Sequence, residues 1–425
     1  NEPRRAIVVV LIIVTPILIW AGISGRNSTG AENSPINAMS ELVSLFFLFT
    51  YAIINLAAFV ESIGANPSFR PRFRYFHWSV AVYGAAACIL ASFLIDFWLS
   101  VVALLVISGL YVWTRFRNLS MTYGDARRGF VYSRIHSLLL QLPQLPLHPK
   151  NWRPTIAVLS GDPVRRGALI DYAILFSQRR GILSVIQIII SGDTRHIGER
   201  RTPQLQALRK LAQERDWPIF PSVVIAPEFD SALRIILQSH SLDPIRPNIV
   251  MMGWPTKAER IPPFFSHLQM IVEDFRRNAL VLANERTTFT PQRYDGGTID
   301  IWWQSSAGGS LMTILAYLVQ LDRNWRKSVL RIFLPMDKEK VRRIRKVLDA
   351  ARIEAEIVGL NEEVRLRTVL PKYSSGAELI FIEFPDYSTR DERRQLITHE
   401  LIKRDLGHLP PCFLVVSNGE ADLLA

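Results

Sequence analysis

The residues of this sequence best suited to chemistry are glycines and charged residues that directly follow apolar runs. Ser160-Gly161-Asp162-Pro163 follows Thr155–Leu159 and leads toward Arg165 and Arg166. Gly253 follows Asn248–Met252, and Ala307-Gly308-Gly309-Ser310 follows Trp303. A glycine turn at a helix N-terminus leaves backbone N–H groups free to hold phosphate. Gly161, Asp162, Arg165, Gly253, Gly308 and Gly309 are therefore candidates for binding a nucleotide or another anion, and a nucleotide is the one cofactor the sequence raises. None of these turns reads GxGxxG or GxxxxGK[ST], so the dinucleotide and Walker readings fail. Plain strand-to-helix turns look the same and are the commoner meaning.

Other chemistries find less. There is no Ser-His-Asp arrangement, no pair of carboxylates at working distance and no His/Cys cluster with metal-ligand spacing. His136, His148, His196, His240 and His267 are scattered. Cys88 and Cys412, the two cysteines, make neither a disulfide framework nor a metal site. No catalytic or metal residue is assigned, and the chain reads as a non-enzyme. The net charge of +12 is spread along the chain without a dense basic run interleaved with aromatics, so nucleic acid is not an expected partner.

The elements that carry these residues are written for two solvents. Ala6–Ser24, Ser40–Val60 and Trp78–Trp113 are apolar, the last with Asp96 as its one charge. A bilayer core of about 30 Å needs roughly 20 apolar residues as a helix. Four transmembrane helices are expected, at about 6–24, 40–60, 78–96 and 98–114, the last two as a tight hairpin. Asp96 is expected at an interfacial turn, and Tyr51 and Asn55 can hydrogen-bond a neighbouring helix. Arg4 and Arg5, then Arg70, Arg72 and Arg74, then Arg115, Arg117, Arg127 and Arg128 fall in every second loop, hence on one side, as the positive-inside rule requires. The expectation is a multi-pass membrane protein whose C-terminal region is cytoplasmic. The start at Asn1, close to a span, reads as the beginning of a fragment.

Residues 1–116 thus form the membrane segment, and 117–151 a linker. In the linker Val131, Ile135, Leu138, Leu139 and Leu142 share a helical face, and Pro143, Pro146 and Pro149 follow. This amphipathic helix suits lipid, the soluble domain or a second copy of itself. From Trp152 apolar strands alternate with helices, which predicts a parallel sheet covered on both faces. Two doubly wound α/β halves are expected, 152–285 and 286–425.

Several segments together resemble the cation–chloride cotransporter family. Phe46–Leu56 (FFLFTYAIINL) is similar to its tenth transmembrane helix. Phe69–Trp78 (FRPRFRYFHW) resembles the loop that follows, in a form nearer the potassium–chloride branch. Lys150–Pro154 (KNWRP) resembles the entry to its cytoplasmic domain. The longest match is Gly297–Arg331, with GTIDIWW, then GG, then NWRKSVLR, and Pro410–Ser417 (PPCFLVVS) looks like the last strand. The resemblance implies the last four helices and the regulatory domain of an electroneutral chloride-coupled symporter of potassium, sodium or both. It implies universal-stress-protein-like halves, a plasma-membrane location and a homodimer through the last helices, the linker helix and the cytoplasmic domain. The family's ion sites lie on upstream helices, so no ion-binding residue is carried over. The second half lacks the long polar insertion of eukaryotic members, which argues against phosphorylation control there. The competing reading is a membrane-tethered α/β nucleotide sensor without transport activity.

Overall fold

The computed structural model describes residues 35–63, 77–116, 126–146, 151–193, 195–240, 245–284, 297–360 and 366–423, together with Val8, Leu11, Val14, Thr15, Pro16 and Ile19, which are helical. The remainder of the first expected span and the arginine-rich loop before His77 lie outside the described residues. The chain forms two compact units, Asn1–Gln144 and Leu145–Ala425.

In the first unit, α1 runs Pro35–Ile63, α2 Trp78–Ile95, α3 Phe97–Phe116 and α4 Ala126–Gln141. Ser40–Ile63, Trp78–Ile95 and Phe97–Thr114 are each long and apolar enough to cross a bilayer. Phe46, Tyr83 and Leu94 are among many large apolar side chains left exposed on them, Leu94 at 87%. Such surface suits hydrocarbon and not water. On α1 Leu45, Phe49 and Ala52 are buried, and on α2 the small residues Ala81, Ala85 and Ser92, which allow close approach. A Cβ at Gly84 would sit 3.0 Å from the Asn55 amide oxygen. The Asn55 amide donates to the Tyr51 carbonyl of its own helix (2.9 Å), so the expected bond to a neighbouring helix is replaced by an internal one.

The expected tight hairpin is open instead. One residue, Asp96, separates α2 from α3, and α2 packs far more on α1 than on α3. A single linking residue is too short for two helices to lie side by side, which takes a loop of about 2–5 residues. Asp96 has extended backbone, and its carboxylate accepts the Leu99 N–H at 2.8 Å. It satisfies one of the donors at the start of α3 as an N-cap does. The Ser100 hydroxyl spans the break to donate to the Ser92 carbonyl (2.8 Å).

The second unit is one ten-stranded sheet. In chain order its elements are β1 (Ile156–Leu159), α5 (Gly167–Phe176), β2 (Leu183–Ile190), α6 (Ile197–Glu214), β3 (Phe220–Ala226), α7 (Phe229–Ser239), β4 (Ile249–Gly253), α8 (Ile261–Gln269) and β5 (Asn278–Leu282). Then come β6 (Thr298–Trp302), α9 (Ser306–Gln320), β7 (Val329–Pro335), α10 (Lys338–Ala351), β8 (Glu356–Leu360), α11 (Leu366–Ser374), β9 (Leu379–Glu383), α12 (Glu392–Leu406) and β10 (Cys412–Val416). The strand order is β3-β2-β1-β4-β5-β10-β9-β6-β7-β8. Counted from its own first strand, each half is ordered 3-2-1-4-5, the doubly wound order with a switch point between strands 1 and 4. The continuous apolar strands β4, β5 and β10 are buried at every residue, as a sheet covered on both faces requires.

The repeat extends to the layers. In the first half Leu169 of α5 and Leu208 of α6 join the core on one face, and Leu233 of α7 and Phe265 of α8 the core on the other. In the second half Leu311 of α9 and Ile344 of α10 join the first core, and Leu370 of α11 and Leu406 of α12 the second. Both cores run through both halves, so the halves share their interior.

Within each half every strand pair is parallel, and the halves meet through the antiparallel pair β5–β10, Leu282 opposite Phe413 and Ala279 opposite Val416. Two buried asparagines close the seam. Asn278 accepts the Asn418 N–H (2.9 Å), and Asn284 accepts the Cys412 N–H (2.9 Å). The Asn284 amide also donates toward the carbonyls of Leu406, Leu409 and Pro410 at 3.1, 2.7 and 2.9 Å. Cys412 is fully buried, and burial pushes its thiol above the ordinary range, which makes it inert. Asn284→Ala leaves these backbone groups unpaired in a dry seam. It is expected to destabilise the chain by about 3 kcal/mol, read as a lowered midpoint in denaturant unfolding, with Asn284→Asp, which keeps only the acceptor, retaining part of the loss.

Candidate functional site

Open α/β sheets bind ligands at the carboxyl ends of their strands, beside the switch point. Because the halves meet antiparallel, their carboxyl edges face opposite ways. Gly161, Asp162, Arg165 and Gly253 belong to one edge and Gly308 and Gly309 to the other, so the six candidates form no single site.

At the first edge, β1 and β4 are neighbours, with Leu159 opposite Met252, which places the Gly161 turn beside Gly253. Gly161 takes a φ of +61°, a left-handed conformation that glycine adopts without strain. Asp162 supplies its own anion to the turn: its carboxylate accepts the Val164 N–H (3.0 Å) and lies 3.6 Å from Arg165. Both side chains of that pair are more than half exposed. Beyond Gly253, Trp254 is buried edge-on against Phe264 and Phe384 and stacks on His399. The space above β4 is therefore packed with rings.

At the second edge, the N-terminus of α9 is likewise occupied. Ser305 is its N-cap, and the Gly308 N–H donates to the Ser305 hydroxyl oxygen (3.1 Å). Glu383, at the end of β9, accepts the Ser305 N–H at 2.7 Å and a short hydrogen bond from the Ser305 hydroxyl. A Cβ on Gly308 would sit 2.5 Å from the Glu383 carboxyl carbon, and one on Gly309 would sit 2.1 Å from the Trp303 ring. These glycines are explained by close approach of Glu383 and Trp303. The carboxylate stands where a phosphate would stand at such a helix N-terminus.

Next to this closed cradle a cavity of about 510 Å³ opens at the ends of β6, β7 and β9, between α11 and α12. Trp302, stacked on Phe333 at 4.6 Å, is part of its lining. A buried polar network holds that wall in place. Asp300, with no exposed surface, pairs through both carboxylate oxygens with Arg331 (2.8 Å each), its neighbour in the β6–β7 register. Asp300 also accepts from the Ser374 hydroxyl (2.6 Å), which accepts from the Trp302 indole N–H (3.2 Å). The motif residues GTIDIWW and NWRKSVLR thus contain a structural ion pair. Neither it nor Glu383 was among the expected site residues. The available signal was one acid and one base, each isolated in an otherwise apolar strand.

Residues 1–158 match the amino acid permease family, and residues 256–360, from the loop after β4 to the end of β8, match solute carrier family 12. Among solved structures, the second unit is similar to the cytoplasmic domain of a prokaryotic cation chloride cotransporter, at 17% identity, covering 64% of this chain and 99% of that one with a TM-score of 0.46. It is also similar to a universal stress protein from Archaeoglobus fulgidus DSM 4304, at 14% identity, covering 62% of this chain and 96% of that one with a TM-score of 0.43. The family matches bear out the resemblance read from the motifs: the chain is similar to the C-terminal part of cation–chloride cotransporters. They point to a transporter and not to an enzyme.

Two predictions follow from the groups buried here. Asp300→Ala strands the Arg331 guanidinium in a largely dry site and is expected to cost about 3–5 kcal/mol, seen as a lowered unfolding midpoint together with altered Trp302 fluorescence. The second concerns His267 on α8, which packs on Phe229 with its Nε2 3.8 Å from Asp230. Burial holds its pKa below the ordinary imidazole value, against the opposing pull of Asp230. The unfolded chain takes up that proton near its usual pKa of about 6.5, and the folded chain only at lower pH. The contribution of His267 is thus complete above about pH 6.5 and is lost as the pH falls below it. His267→Gln is expected to flatten the acid limb of a plot of unfolding midpoint against pH.

Proposed function

We propose that the polypeptide containing this chain carries out electroneutral chloride-coupled symport of potassium, sodium or both in the plasma membrane. In this reading its helices α1 to α3, with the apolar stretch before them, are scaffold and dimer contact. The α/β unit is a cytoplasmic regulatory domain. The observation that carries the proposal is the ordered pair of family matches, permease sequence over 1–158 followed by solute carrier family 12 sequence over 256–360. The leaning toward potassium rests on Phe69–Trp78, whose form is nearer the potassium–chloride branch. Pairing of two copies is supported by α4, where Val131, Ile135 and Leu138 are all exposed on one side of the helix. The cytoplasmic placement is supported by the arginines, which fall in every second loop and so on one side of the spans. The competing nucleotide-sensor reading draws on Gly161 and Gly308–Gly309, where Asp162 and Glu383 already serve as the local anions.

The test is rubidium uptake into cells expressing the full-length gene, with chloride replaced by gluconate. Uptake is expected to collapse on replacement and to leave membrane potential unchanged. Undiminished uptake without chloride would sink the symport reading.

A further inference from the structure

We propose that the cavity of the second α/β half is a binding site for an organic cation with a flat apolar body, and that Glu383 excludes phosphorylated ligands from it. The cavity's volume of about 510 Å³ falls in the range of roughly 300–1,000 Å³ common to small-molecule sites. It lies at the switch point between β6 and β9, where doubly wound sheets take their ligands. The proposal is independent of the transport reading, because it rests on this cavity alone.

The ligand's charge follows from the lining. Three carboxylates, Glu383, Asp386 and Asp405, contribute to it, and among the described residues no lysine or arginine does. Asp405 is paired with Arg404 (2.8 Å), which lies outside the lining, so the uncompensated charge facing the cavity comes from Glu383 and Asp386. Glu383 itself is hydrogen-bonded to Ser305, a neutral partner. A phosphate would meet two like charges here. It would also find the N-terminus of α9 already capped by Ser305 and filled by the Glu383 carboxylate, and those of α10 and α12 capped by Asp337 and Asp391.

The ligand's body follows from the remaining walls. Phe333, Leu334, Leu370, Ile382 and Leu414 are apolar and almost wholly buried within the fold, and Leu401 of α12 faces them. A bare inorganic cation would lose its water against such walls without regaining ligands, at a cost far above what two carboxylates return. A cation spread over an aromatic or branched aliphatic frame loses little and gains apolar contact. An indole face and carboxylates together are how proteins recognise such cations.

The experiment titrates the full chain in detergent micelles with proflavine, a flat aromatic cation, and with 1-anilinonaphthalene-8-sulfonate, an apolar anion of similar size. Wild type is expected to bind proflavine saturably and at least about tenfold more tightly than the sulfonate, the equivalent of one modest charge contact. Leu401→Trp fills the cavity and is expected to abolish the saturable phase, leaving only partition into micelles. Glu383→Gln keeps a hydrogen-bonding group beside Ser305 but removes the charge. It is expected to weaken proflavine and strengthen the sulfonate, whereas a merely disordered cavity would weaken both. Equal or tighter binding of the sulfonate by wild type would overturn the proposal. So would the lack of a saturable proflavine phase, or one that survives Leu401→Trp.

Discussion

The antiparallel pairing of β5 with β10 is the constraint on which the architecture of the α/β unit depends. Each half, ordered 3-2-1-4-5, ends in a strand with one free edge, and an exposed apolar edge invites uncontrolled pairing. Joining the two last strands removes both edges at once and makes ten strands continuous. It also fuses the helical layers, so that one apolar core on each face serves both halves. The seam is short, and its ends are held by polar side chains. Asn278 and Asn284 bracket β5 and reach the backbone on either side of β10. Their amides satisfy backbone groups that a five-residue strand leaves unpaired where it stops, and buried unpaired groups are costly.

The seam decides what kind of site the unit can have. Two copies of a ligand-binding fold, joined antiparallel, hold their switch points at opposite edges of the sheet and cannot share a ligand between them. The two edges have then diverged. In the first half Trp254 and its ring neighbours pack the space above β4, and Asp162 caps its own turn. In the second half the anion cradle is closed by Glu383 while a cavity remains beside it. A helix N-terminus favours negative charge whether the charge is a ligand's or the protein's own. At the start of α9 it is the protein's own Glu383, whereas the start of α5 has no side-chain cap and Asp162 serves only the turn before it.

Strands were legible in the sequence because burial on both faces leaves an unbroken apolar run, and β1, β4 and β10 are such runs. The doubling was legible as a rhythm that restarts, with the division placed at residues 285–286. The strand order and the antiparallel seam were not, because a strand buried on both faces carries no mark of its neighbour's direction. Asn284 shows the difficulty: a polar residue at the end of an apolar run reads as the beginning of a loop, yet it is a buried clamp. The glycine turns were located, but their meaning was set by residues far along the chain. Gly308 is a glycine because Glu383, seventy-odd positions later, lies against it. Spacing along the sequence holds no record of that approach. Asp300 and Arg331 were nearer to being readable, since an acid and a base standing alone in adjacent apolar strands have few ways to be buried except together.

The membrane unit obeys the same physics in a different solvent. In the α/β unit large apolar side chains are inside, and the exceptions are few. Along α1, α2 and α3 most of them face outward, and the buried positions are held by Leu45 and Phe49 together with alanines and serines. Where lipid is as apolar as leucine, hydrophobicity cannot drive helices together, and close approach through small residues does so instead. The polar groups follow suit. Asn55 turns its amide back onto its own helix, Ser100 bonds across the break to Ser92, and Asp96 serves the first donors of α3. Each of these bonds is satisfied within the chain, which is what a medium without water demands. Asp96 marks the limit of that rule: its carboxylate takes one local donor where the helix breaks, and the break opens the pair of helices on either side of it.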